Sequence, residues 1–166
     1  MRDYIIMTDS CCDLSQQEVE ELELTVLPLS FTIEGKTLLN TPDHADMSPE
    51  EFFAKIAAGA DCTTAAANVG QFTDAMEKVL QEGKDILCVC FSSALSTTYQ
   101  SACIAAEDLR EKYTEAKILV IDSLSASRGQ GMLLYRAVRE RREKNLTIDE
   151  LDAYVRSIIQ SQCHWF

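Results

Sequence analysis

The run Ile86-Leu87-Cys88-Val89-Cys90-Phe91 constrains the fold more than any other stretch of this chain. A short, continuous apolar run of this kind suits a parallel strand buried on both faces. It leads directly into the hydroxyl-rich Ser92-Ser93-Ala94-Leu95-Ser96-Thr97-Thr98, after which Tyr99, Ala102, Cys103, Ala106, Leu109 and Tyr113 recur at helical spacing. Thr97 and Gln100 fit a capping box, with Thr97 at the N-cap and the Gln100 side chain reaching back. The segment therefore reads as strand, polar turn, helix. Open α/β sheets place ligands at such a turn, beyond the carboxyl end of a parallel strand. The free N–H groups and dipole of the following helix favour an anionic group there. The same hydroxyls serve equally well as caps and turn formers, so this stretch alone does not choose between binding and architecture.

The rest of the chain supplies more units of the same kind. Tyr4-Ile5-Ile6-Met7 reads as a short buried strand followed at once by Thr8-Asp9-Ser10, and Ser15 with Glu18 forms a capping box for a helix reaching about Leu24. Thr25–Ile33 reads as a second strand, with Pro28 marking its start or a bulge near a sheet edge. Thr37-Leu38-Leu39 returns after the Glu34-Gly35-Lys36 turn, and Thr41–Met47 is an irregular loop that carries His44. Ser48 and Pro49 start a helix that ends near Gly59. Cys62–Gly70 reads as a polar turn between two helices, the second of which runs over Gln71–Gln81 and stops at Gly83. Lys117–Ile121 is a further buried strand, ending in Asp122-Ser123. A helix from the Arg128-Gly129-Gln130-Gly131 stretch to about Lys144 follows, its glycines placed for close packing and its basic C-terminal end suited to the macrodipole. Thr147 and Glu150 form another capping box, opening a last helix to about Gln160. No repeat or linker divides the chain, so residues 1–166 read as a single α/β domain, a mostly parallel sheet flanked by helices with Rossmann-like layering.

Composition narrows the partners. A formal net charge of -12 argues against nucleic acid and anionic membrane surfaces, which both need clustered positive charge. No apolar run approaches membrane-spanning length, and the apolar segment after Met1 is too short for a signal peptide. Seven cysteines, an odd number, fit a reducing compartment better than a disulfide framework, so the cytoplasm is expected. Cys88 and Cys90 share one face of their strand, and neither they nor Cys11-Cys12 have a second pair at zinc-ligand spacing.

Parallel topology then joins these turns. All carboxyl ends of a parallel sheet lie on one edge, so Asp9 and Ser10, Ser92 and Ser93, and Asp122 and Ser123 are brought together, with Thr63 and Thr64 able to join them. The chain offers these turns no G-x-S-x-G elbow, Walker lysine loop or histidine cluster, and its two histidines, His44 and His164, lie far from them in sequence. Hydroxyls and backbone N–H groups fit a binding site better than a nucleophilic one. No catalytic residue, metal or cofactor is expected.

Four motifs, in order, resemble the DegV family of bacterial fatty-acid-binding proteins. Thr8-Asp9-Ser10…Asp13-Leu14 is similar to TDSxxDL, Phe91–Ala102 to ISSxLSGTYQSA, Asp122-Ser123…Ser127-Arg128-Gly129-Gln130-Gly131 to DSxxxSxGQG, and Thr64–Phe72 to the TSQPSPGEF loop. The resemblance implies an α/β domain whose polar edge takes the carboxylate of a long-chain fatty acid, with Thr64 and Ser93 holding it and Ser92 beside them. It also implies that the acyl chain can be presented to a separate fatty acid kinase that forms an acyl-phosphate, the binding subunit itself carrying no catalytic group. The chain departs from the family pattern at Ala65-Ala66-Ala67, where the motif has Ser, Gln and Pro, and at Thr97, where it has Gly. Family members are nearly twice as long. The chain is therefore expected to correspond to their N-terminal half without the second domain that closes over the acyl chain, leaving an apolar surface open to self-association. Two other readings stay open from the residues alone: a phosphotransfer or enzyme domain using His44 or His164, and a fragment whose site is vestigial.

Overall fold

The computed structural model describes residues 2–163. Strands β1 (Tyr4–Asp9), β2 (Leu24–Leu27), β6 (Asp85–Cys90) and β7 (Ile118–Asp122) form one sheet in the order β2-β1-β6-β7, every pair parallel. Alternation along these strands splits the core in two. Ile6, Leu87, Val89 and Ile121 face one layer of helices, α1 (Gln16–Glu21), α5 (Ser127–Lys144) and α6 (Ile148–Ile159). Met7, Cys88, Cys90 and Val120 face the other, α3 (Val69–Gln81) and α4 (Thr98–Lys112). The expected parallel sheet between helices is therefore present, and β6, the apolar run that sets the fold, is buried along its whole length at the sheet centre. On it the Cys88 and Cys90 sulfurs lie 3.5 Å apart on one face.

Local chemistry explains the helix ends. The Ser15–Glu18 and Thr147–Glu150 capping boxes both form, and Ser48 caps α2 (Pro49–Ala57) with Pro49 in its first turn. A further capping box, Asn68 with Gln71, starts α3. α1 is shorter than expected, ending at Glu21, because the chain turns through Glu23 at φ 54° to enter β2. Gly131 is the close-packing glycine of α5: a Cβ there would lie 2.7 Å from the Cys12 carbonyl oxygen. At the basic end of the same helix, Arg141 stacks 4.0 Å over the Tyr4 ring and Arg142 donates to the Glu21 carbonyl at 2.8 Å, so both are architectural.

Three further expectations need correction. Thr97 does not cap α4. Its backbone sits at φ -79° and ψ 1° instead of the extended conformation a capping box needs, and Ser96 Oγ takes the Thr98 N–H at 3.2 Å in its place. Thr25–Ile33 is not one strand. Pro28, which has no N–H to give a ladder, divides it into β2 of the parallel sheet and β3 (Leu29–Ile33) of a second sheet. Cys62–Gly70 is not simply a turn between helices. It begins with β5 (Cys62–Ala65), which pairs antiparallel with β3, while β4 (Lys36–Asn40) pairs on the other side of β3.

Candidate functional site

The carboxyl ends of β1, β6 and β7 are knitted together by two aspartates. Asp9, fully buried, accepts the Cys11 N–H on Oδ1 at 3.0 Å and the Phe91 N–H on Oδ2 at 2.7 Å, tying the β1 loop to the β6 loop. Asp122 accepts the N–H groups of Ser93 and Leu124 on Oδ1, both at 3.1 Å, tying the β6 loop to the β7 loop. Burial pushes the Asp9 carboxyl above its usual range, against the two backbone donors, which favour the anion. Burial likewise pushes the neighbouring Cys11 thiol up to about 12, with the Asp9 and Asp13 carboxylates adding to the shift, so this thiol is a poor nucleophile.

The serines take different parts in this frame. Ser92 is buried, its N–H donates to the Ser125 carbonyl at 3.0 Å, and its Oγ accepts the Ala94 N–H at 3.3 Å. Ser123 is buried too, its hydroxyl donating to the Ser125 carbonyl at 3.2 Å and its N–H to the Cys90 carbonyl. Ser93 is half-buried. Its N–H is spent on Asp122, while its hydroxyl makes no hydrogen bond among the described residues. Two large apolar side chains stand exposed on the same loops, Leu95 and Leu124.

Ser10 attaches the second sheet. Its Oγ accepts the Leu29 N–H at 3.0 Å and the Asn40 side-chain amide at 3.3 Å. Cross-strand partners share a face, so Asn40 and Leu29 lie on the same face as Phe31, Leu38 and Thr64, and that face adjoins the parallel sheet at Ser10. The Phe52 ring of α2 packs edge-on to Phe31, their centroids 5.4 Å apart, so Thr64 neighbours an aromatic pair. Thr63 projects from the opposite face, beside Thr32 and Thr37. Asp9, Ser10, Ser92, Ser93, Asp122 and Ser123 are thus gathered on one edge. Thr64 lies on the second sheet, on the face that carries Asn40, with no hydrogen bond to Ser92 or Ser93 among the described residues, and Thr63 is on the opposite face.

Sequence reasoning missed the Asp9 and Asp122 clamps as clamps, and it missed Gln130. The fully buried Gln130 side chain donates to Thr8 Oγ1 at 2.9 Å, and Thr8 Oγ1 in turn donates to the Val89 carbonyl at 2.8 Å. The pairing of a threonine within one strand with a glutamine in a distant helix leaves no local signal. His44 stands exposed in its loop at φ 53°, and His164 lies outside the described residues. Among the described residues, no three of His, Cys, Asp and Glu gather as metal ligands, and no helix is long and apolar enough to cross a membrane. A surface hollow of about 460 Å³ lies between the Glu34 turn and α2, lined by Glu51, Lys55 and small residues, at the far end of β3 from Ser10.

A three-layer α/β unit that collects polar side chains at the carboxyl edge of its parallel strands is the class this geometry defines. The family model for "Uncharacterised protein, DegV family" matches residues 4–166, and the chain belongs to the DegV family. A DegV domain-containing protein of Clostridium perfringens is 35% identical over 166 residues, which is all of this chain and 56% of that protein. The fold is shared with a fatty-acid-binding DegV family protein from Thermus thermophilus (TM-score 0.82, 28% identity, 96% of this chain and 54% of that one). It is shared equally with a stearic acid-binding protein from Eubacterium ventriosum (TM-score 0.82, 26% identity, 92% and 52%). The chain spans about half the length of the relatives it matches.

Proposed function

We propose that this chain binds a long-chain fatty acid through its carboxylate, at the edge where β1, β6 and β7 end. The observation that carries the reading is the division of labour at Ser93: Asp122 fixes its backbone N–H, and its hydroxyl stays uncommitted among the described residues at a half-buried position, on loops that also carry the exposed Leu95 and Leu124. A held backbone with a free hydroxyl is a pre-organised donor, and the apolar neighbours suit the first methylenes of an acyl chain. The Thr64 hydroxyl, on the face of the second sheet that carries Asn40, is assigned as the second donor, with Ser92 beside Ser93. Asp9, Ser10, Asp122 and Ser123 form the frame of the site, and Thr63 is assigned no contact.

The fatty acids named for the Thermus thermophilus and Eubacterium ventriosum proteins support the ligand class. In this reading the chain is a cytoplasmic binding protein and not an enzyme. It corresponds to the N-terminal domain of its longer relatives, and its acyl chain is handed to a fatty acid kinase. Cover for the acyl chain comes from surface beyond this edge, a second domain or a second copy of the chain. Replacing Ser93 by alanine is expected to weaken palmitate binding, measured by calorimetry, by about 1–3 kcal/mol, the range for a hydrogen bond to a charged group. Unchanged affinity would remove Ser93 from the site. Failure of the unaltered protein to bind any fatty acid, or to carry one from its host in native mass spectrometry, would overturn the reading.

A further inference from the structure

The four-stranded sheet has two outer strands, and they are protected in different ways. β2 is four residues long and stops at Pro28, two features that discourage pairing with another chain. β7 has neither. Its odd-numbered residues face β6: the Ile86 N–H donates to the Lys117 carbonyl at 2.9 Å, and the Ser123 N–H donates to the Cys90 carbonyl at 3.1 Å. Alternation then turns the main-chain groups of Ile118 and Val120 outward, away from the sheet. Such a row is a template for another strand.

Yet Ile118 and Val120 are only 1% and 8% exposed. Their side chains pack into the core against α3 and α4, and two arginines from opposite helical layers cover their outward carbonyls. Arg110, near the end of α4, donates from Nε (3.2 Å) and from Nη2 to the Ile118 carbonyl. Arg156 of α6 donates from Nη2 to the Val120 carbonyl at 3.0 Å, and its Nε is held by Asp152 at 2.9 and 3.0 Å. Successive outward carbonyls of the edge are thus each occupied by a guanidinium, one reaching round from either face. Arginine suits this task because its planar fork can donate to an edge carbonyl while its stem lies along apolar surface.

We propose that the outer edge of β7 is a strand-pairing surface kept closed by Arg110 and Arg156, and that its partner, once both are removed, is the same edge of a second copy of this chain. The edge is self-complementary under a two-fold axis, so antiparallel pairing of two β7 strands would join the two sheets into one. The two guanidinium groups occupy the carbonyls that such pairing needs, the Arg156 charge being itself paired with Asp152. This inference does not rest on the fatty-acid reading and survives its failure.

The test is sedimentation of the R110A/R156A protein beside the unaltered protein and R110K/R156K, which keeps a cationic donor at each place. Self-association about tenfold tighter than that of the unaltered protein is expected for the alanine pair alone, a shift well resolved on the affinity scale. Contacts between β7 amides of different copies, seen by NMR in a mixed-label sample, should accompany it. A folded alanine pair that sediments like the unaltered protein overturns the proposal, and so does association without β7–β7 contacts. Should the alanine pair fail to fold, the single variants R110A and R156A decide: association through β7 in either supports the closure, and two folded single variants that associate no more than the unaltered protein refute it.

Discussion

The two sheets of this molecule are built to different standards of burial. In the parallel sheet every residue of β6 is buried, and helices cover both faces with side chains such as Phe72, Met76, Leu133 and Leu151 at full burial. In the antiparallel sheet Ile33 is the one buried residue of its three strands, and α2, which packs against it, buries none. Leu39, Phe53 and Ile56 remain exposed there. The first sheet is stabilised by its own core. The second depends on its attachment, through the strand that crosses at Pro28 and the two hydrogen bonds to Ser10. The candidate site lies where the two meet, so a rigid half presents Ser92 and Ser93 and a lightly anchored half presents Thr64. Segments with few buried apolar contacts open at lower free energy than the core does.

The contrast can be broken most sharply in the core. Phe72→Ala is expected to cost about 3–5 kcal/mol in urea unfolding, the range for emptying a buried phenylalanine site. Phe53→Ala, at a position 66% exposed on α2, is expected to change stability by less than about 0.5 kcal/mol. Equal costs would mean that the antiparallel half has a core of its own. Next in size is Ser10→Ala, which removes the acceptor for Leu29 and Asn40 and should cost about 1–2 kcal/mol. Its signature is local: amide exchange should quicken in β3, β4 and β5 and hold steady in β1, β6 and β7. Quickening throughout would show that the two sheets unfold as one.

A smaller effect than that of Ser10→Ala concerns the surface of the parallel half. Arg128, with the Ser15 N–H and hydroxyl, holds the Glu18 carboxyl down from 4.5 to about 2, tying α1 to α5. A lowered carboxylate contributes stability above its unfolded pKa and loses it as pH falls through the folded value. The stability gap between the unaltered protein and Glu18→Gln should therefore be fullest above about pH 4.5 and close towards pH 2. Because the pair is largely exposed, the gap should be under about 1 kcal/mol. A gap independent of pH would show that neither Arg128 nor the Ser15 cap favours the Glu18 anion in the folded protein.

The parallel half was legible in sequence because its signals are local: apolar runs for β1, β6 and β7, and capping boxes at Ser15 and Thr147. The antiparallel half was legible only in part. Cys62-Thr63-Thr64-Ala65 carries small residues on both faces, so strand alternation leaves little hydrophobic contrast, and Pro28 marks a change of sheet that the surrounding apolar residues conceal. At the site, the gathering of the three strand ends follows from parallel topology and was foreseen. The roles within it were not, because one partner of each of Asp9 and Asp122 is a backbone N–H group of a distant loop, which no side-chain pattern records. Thr97 shows the reverse error, a motif with the right letters on a backbone of the wrong shape.

The pairing of β5 with β3 carries one more consequence. Thr64 stands opposite Phe31 because main-chain ladder bonds set the register, and the Asn68–Gln71 cap fixes where the chain leaves for α3. Neither constraint reads the side chains of Ala65, Ala66 and Ala67. The position of the Thr64 hydroxyl is therefore set by the ladder and the cap, and not by the three alanines that follow it.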